Sequence, residues 1–258
     1  MAEEISTIQA LRTALSAADR TAFLVEARVI RRLIRERYEV ANVVVALPHT
    51  HCQVVSEDDI RKFAHPDELG LNSFELLPKE CLLICEPESG ELDHWPLQEL
   101  KQLVWRRLFH ASLDRELQSE KQASDLVALR KGIAAFGQVE FDEAHYVLRT
   151  ELYLTVPNSR EEAWRELAAV YFEMRYFEPD LLPIWFPSLR DSDAVQALLA
   201  RGLDIERVFQ ETRLDGAPSP ELISHAASDE DRLLTTRRNW SLAIGVSQSD
   251  QGYQRQLR

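Results

Sequence analysis

The sequence predicts a mainly α, irregular multi-helix domain with a small β-containing insert near residues 40–90. Three observations predict it. Apolar residues recur at three- and four-residue spacing over most of the chain, whereas continuous β-branched runs are confined to one window. Glycine and proline are sparse, 8 and 11 in 258 residues, and fall at punctuation points.

The elements follow in order. Ile5, Ile8, Leu11 and Leu15 mark a first helix over 3–18. Asp19 is placed to cap a second over about 20–38, where Phe23, Ala27, Ile30, Ile34 and Tyr38 repeat at helical spacing. The pattern then changes. Val43-Val44-Val45-Ala46-Leu47 is strand-like up to Pro48, and Gln53-Val54-Val55 resumes it. Ser56 and Asp59 have capping-box spacing for a short helix through about Ala64. Cys81-Leu82-Leu83-Ile84-Cys85, between Pro78 and Pro87, reads as another strand. Residues 1–95 thus form a helical pair plus a small α/β insert.

Residues 96–246 read as a helical domain, bringing the helices to about ten. Pro96 suits the first turn of a long amphipathic helix to about 121, carrying Leu97, Leu100, Val104, Leu108, Ala111 and Leu117. Helices over about 124–136 and 141–154 stop at Gly137 and near Pro157. Ser159 and Glu162 form a capping box ahead of Trp164, Leu167, Ala168, Tyr171 and Met174. Shorter helices are expected at 191–201, 204–213, 219–226 and 229–245. Residues 247–258 are polar and unpatterned, a tail or the point where a longer chain is cut.

Charge and motifs narrow the function. With 30 basic and 43 acidic residues the net charge is −13, which opposes binding to nucleic acid, a polyanion. No apolar run is long enough to span a membrane, and the opening Met-Ala-Glu-Glu does not resemble a secretory leader. Three cysteines are too few for a disulfide scaffold, so a cytoplasmic location is expected. Phosphate-cradling glycine loops and the Gly-x-Ser-x-Gly elbow are absent from the sequence, and no cofactor is expected.

Four features could carry chemistry. In an extended His49-Thr50-His51, both imidazoles share a face and could hold a metal, the basis of an alternative reading as a metal-dependent hydrolase. A third ligand would have to come from Cys81, Cys85 or His94 through folding; the plainer reading is a polar turn between strands. Cys81 and Cys85, four apart on a strand, share a face with Leu83 and read as small core hydrophobes. Arg28, Arg32 and Arg35 form a ridge able to pair with an acidic partner, although Glu26, Glu36 and Glu39 compete for it.

The fourth feature is an aromatic cluster between Trp164 and Phe186. The spacing Trp164-x-x-Leu167-x-x-x-Tyr171 is that of the first helix of a tetratricopeptide repeat. The positions of the second helix fall on Asp180, Ile184 and Pro187, so the pattern is not continued. Pro179, Pro183 and Pro187 instead predict an irregular, extended segment with Trp185 or Phe186 left exposed. Leu182, Trp185 and Phe186, together with Tyr176 and the arginine ridge, are therefore the candidate contacts for a protein partner. The sequence reads as a non-catalytic interaction or regulatory module, part of a larger protein or complex.

Overall fold

Strand β3 (Glu80–Cys85) is the centre of a three-stranded sheet ordered β1-β3-β2. Strand β1 (Ala22–Val25) pairs with it in parallel, placing Leu24 beside Ile84. Strand β2 (Cys52–Ser56) pairs antiparallel, placing Cys52 beside Ile84 and Val55 beside Cys81. The structure, a computed structural model, describes residues 2–37, 47, 50–118, 126–154, 159–189 and 193–220.

Period-2 geometry divides the strand side chains between two cores. Cys81, Leu83 and Cys85 point to one face, where they meet Val29, Ile30, Leu33 and Ile34 of helix α2 (Ala27–Arg37) and Ile60 of helix α3 (Glu57–Phe63). Leu82 and Ile84 point to the other face, towards Leu11 and Leu15 of helix α1 (Ala2–Ala18) and Leu108 of helix α5 (Leu97–Gln118). The sheet is thus covered by helices on both sides, and for this reason β3 is apolar at every position but its first.

This arrangement corrects the single helix expected over 20–38. Asp19 caps no helix. Its Oδ1 accepts hydrogen bonds from the Thr21 N–H (2.7 Å) and hydroxyl (2.6 Å), and its Oδ2 accepts one from Arg115 (3.0 Å). That turn feeds β1, and α2 begins only at Ala27. The β-containing region therefore starts at Ala22, well before residue 40. The run at 43–46 and the helices and tail expected beyond Pro220 lie outside the described residues. Leu82 and Ile84 share one cluster with Leu108 and Val170, while Cys81, Leu83 and Cys85 belong to a second cluster drawn from residues 25–85.

A short helix, α4 (Ser89–His94), leads to α5, whose 22 residues are buried on every side of its central turns. Helices α6 (Leu126–Phe136) and α7 (Gln138–Thr150) meet at Gly137, where φ is +114° and a Cβ would collide with the Glu140 carboxylate. Helix α8 (Arg160–Phe177) opens on the expected capping box, the Ser159 hydroxyl accepting from the Glu162 N–H and Glu162 from the Ser159 N–H. Like α5 it is buried on every side over 167–174.

The proline segment is not extended. It forms a 3-10 turn (Pro179–Leu181) and one α-helical turn, α9 (Leu182–Trp185). Prolines 179 and 183 each sit in a first turn, where a missing N–H costs nothing. Helices α10 (Asp193–Ala200) and α11 (Ile205–Glu211) follow. No described helix is long and apolar enough to cross a membrane.

Candidate functional site

Helices α5 and α8 are both buried, yet each carries a row of ionisable side chains towards the other. On α5 these are Arg106, His110 and Asp114, one turn apart; on α8 they are Arg165, Glu166 and Glu173. The pairing is antiparallel: the start of α5 meets the end of α8. Arg106 Nε donates to Glu173 Oε1 at 2.5 Å, and Arg106 Nη1 lies 2.8 Å from Glu178. His110 Nδ1 lies 2.8 Å from Glu173 Oε2, and its Nε2 lies 3.2 Å from Glu166 Oε1. Asp114 and Arg165 complete the seam at 3.5 Å.

Burial sets the electrostatics. It works against charge on His110, but Glu166 and Glu173 outweigh it and hold the imidazole well above its ordinary value. The ring is an imidazolium between two carboxylates. Burial would raise Glu173 too, but Arg106 and His110 bring its carboxyl down to about 2. Glu166 goes the other way: burial raises it, and His110 offsets that only in part. With both ring nitrogens facing carboxylates, His110 is placed to hold its proton rather than pass it on.

Beside His110 lies a cavity of about 150 Å³. Its walls are β2 at Cys52 and Val54, α5 at Ala111 and Asp114, and α8 at Arg165 and Glu166. Cys52 could be taken for a nucleophile beside an imidazole, but burial pushes its thiol up to about 11, so it is not a thiolate near neutrality. Cys81 and Cys85 are raised in the same way, to about 12 and about 11. All three are free thiols and buried, as the core reading of Cys81 and Cys85 expected.

The sequence-derived candidates are scattered. His49 lies outside the described residues. His51 stands at the entry to β2 with φ +51°, and its carbonyl accepts a hydrogen bond from the Cys85 N–H at 2.8 Å. Among the described residues no three His, Cys, Asp or Glu side chains are grouped to hold a metal. On α2, Arg28 pairs with Glu26 (2.8 Å) and Arg32 with Glu68 (2.5 Å), while Arg35 is exposed. Two of the three ridge arginines thus have partners within this chain.

The aromatic candidates are more buried than the sequence suggests. Phe186 is 1% exposed and Leu182 is 6% exposed, so both are core; this overturns the expectation of an extended segment with a bare ring. Trp185 is half-buried, edge-on to Tyr153 with ring centres 5.9 Å apart. Tyr176 packs against Phe109 and Phe209 and donates its hydroxyl hydrogen to Glu206 (2.9 Å). Among the described residues Leu76, Trp95 and Leu97 are exposed elsewhere, and four further exposed apolar residues lie beside the candidates. Val139 and Tyr146, two turns apart on α7, are 73% and 71% exposed; Leu152 is 45% and Ile184 is 66%. Glu143, between Val139 and Tyr146 on the same face, accepts a hydrogen bond from Ser188, and Trp185 meets the residue after Leu152 edge-on. The outer face of α7 and the 182–189 turn therefore form one continuous edge.

Sequence reasoning missed this edge and the ionic seam. A signal for the seam was present: Arg106, His110 and Asp114 repeat at i, i+4 and i+8 on a helix with apolar residues on its remaining sides. No known protein family, curated protein or solved structure matches the chain.

Proposed function

We propose that this chain is a non-catalytic interaction module of a reducing, cytoplasmic environment, docking a protein partner through the edge formed by α7 and the 182–189 turn. The observation that carries the reading is the exposure of four large apolar side chains, Val139, Tyr146, Leu152 and Ile184, along one connected edge. Scattered apolar residues are ordinary on a protein surface, but a connected row on a helix face and its neighbouring turn is the make-up of a contact patch. The edge is bordered by Glu140, Glu151 and Asp180, by Asp142 with Arg160 at 3.8 Å from it, and by the exposed Arg149, so acidic groups outnumber basic ones there. Burial raises the Glu151 carboxyl, so a cation placed there would be welcome. The partner is accordingly an apolar surface flanked by Lys or Arg, and the chain's net charge of −13 opposes nucleic acid in that role.

The test uses Tyr146→Ser combined with Ile184→Ser, bait in a capture from the native host's lysate beside the parent chain. Both side chains are exposed, so stability should move by no more than about 0.5 kcal/mol. A partner held by the parent and lost with the variant supports the reading. If every captured protein is held equally by both, the edge is not a docking site.

A further inference from the structure

Where Arg106 and His110 meet Glu173, α5 and α8 close on one another. Beyond His110 both helices line the cavity. Arg165 Nε and Glu166 Oε1 are buried and take part in no well-formed hydrogen bond, each held only by a looser ion pair, to Asp114 at 3.5 Å and to His110 at 3.2 Å. Such atoms are costly to leave unmet, more so when charged. The space of about 150 Å³ has room for several waters and is well below the roughly 300 Å³ at which pockets for drug-sized ligands begin. Charge around it is balanced, with Asp114, Glu162 and Glu166 against Arg37, Arg165 and His110, so neither a lone cation nor a lone anion is favoured. A molecule with a cationic donor and an anionic acceptor close together can engage both slack pairs at once.

We propose that this cavity binds a small zwitterion, a free amino acid with a short side chain, its ammonium group towards Glu166 and Asp114 and its carboxylate towards Arg165. Val54, Ala111 and Leu154 supply an apolar wall for the remaining carbon atoms. The fit depends on Ala111, because a larger residue there would occupy the space. This site is independent of the docking edge.

The experiment is calorimetric titration of the full chain with glycine, L-alanine and L-serine, and with acetate and ethylammonium as singly charged controls. At least one amino acid should bind saturably with a dissociation constant near ~1 mM or tighter. Glu166→Gln should weaken it at least about tenfold, and Ala111→Leu should abolish it. Circular dichroism checks that each variant folds, and Asp114→Asn replaces whichever does not. Three results overturn the proposal: no saturable binding by any of the amino acids, equal binding by acetate or ethylammonium, or undiminished affinity in the folded variants. The first would mean that the cavity holds water alone.

Discussion

The two ends of the α5–α8 seam use the same kinds of residue and reach opposite results. At one end Glu173 lies 2.5 Å from Arg106 and 2.8 Å from His110, and Glu178 adds a second carboxylate for the guanidinium. At the other, Asp114 and Arg165 are 3.5 Å apart and both helices line a cavity. Residue type does not explain the difference. The surroundings of the carboxylates do: Glu173 is 7% exposed beside His110 at 2%, whereas Asp114 keeps 22%, while the guanidinium partners Arg106 and Arg165 are alike at 23% and 18%. Where solvent is excluded a buried charge has no alternative to its partner, so geometry tightens. Where water reaches the pair, slack costs little.

The largest expected effect follows from the tight end. Glu173→Gln leaves the buried His110 and the partly exposed Arg106 short of one compensating carboxylate. It should cost about 3–5 kcal/mol of folding free energy in a urea titration. A loss under about 1 kcal/mol would mean that Glu178 and Glu166 absorb the change and that the two ends are energetically alike.

Next comes pH. The His110 imidazole is raised when folded, so its contribution is complete below the ordinary histidine value near 6.5 and is lost as pH rises through the higher folded value. Glu166, also raised, acts in the same direction: folding favours its protonated form, and that preference disappears as pH rises. Glu173, lowered to about 2, contributes above about 4.5 and loses its contribution only in strong acid. The other groups around the ring are Arg106, Glu178, Tyr153, Asp114, Arg165 and Cys52. Among them Tyr153 and Cys52 are raised by burial and stay neutral through this range. Urea midpoints should therefore fall from mild acid towards alkaline pH, and His110→Gln should flatten that slope. An unchanged slope in His110→Gln would remove His110 from the tight end.

These two ends also mark what was legible in the sequence. Caps and apolar periodicity gave α5, α8 and β3, because Pro96, the Ser159–Glu162 box and the all-apolar Cys81–Cys85 run act locally. The same periodicity hid β1, because Phe23, Ala27, Ile30 and Ile34 keep helical spacing across a strand and the helix after it. What makes Ala22–Val25 a strand is pairing with Glu80–Cys85, some sixty residues away, which no local pattern reports. The prolines at 179 and 183 were read as breakers, although each opens a short helical turn and turns Leu182 and Phe186 inward. For the site, the row Arg106, His110, Asp114 could be seen, but a row of charges is ordinarily a solvated face. Only the packing of α8 over it shows that these charges are inside.

The smallest expected effect sharpens the comparison most, because it isolates one pair. Asp114→Asn keeps the shape of the side chain and removes its charge, leaving Arg165 near water and Gln118 still able to bond the amide oxygen in place of the Asp114 carboxylate it now meets at 2.6 Å. Stability should fall by about 1 kcal/mol or less. A double-mutant cycle with Arg165→Gln isolates the coupling from each side chain's own packing. A coupling below about 1 kcal/mol is expected at this end, against more than about 1.5 kcal/mol for the matching cycle of Arg106→Gln with Glu173→Gln. If the two couplings are equal, solvent access does not separate the ends. The looser pairing at Asp114 must then come from packing around Ala111 alone, and Ala111→Leu would be the substitution to measure against both cycles.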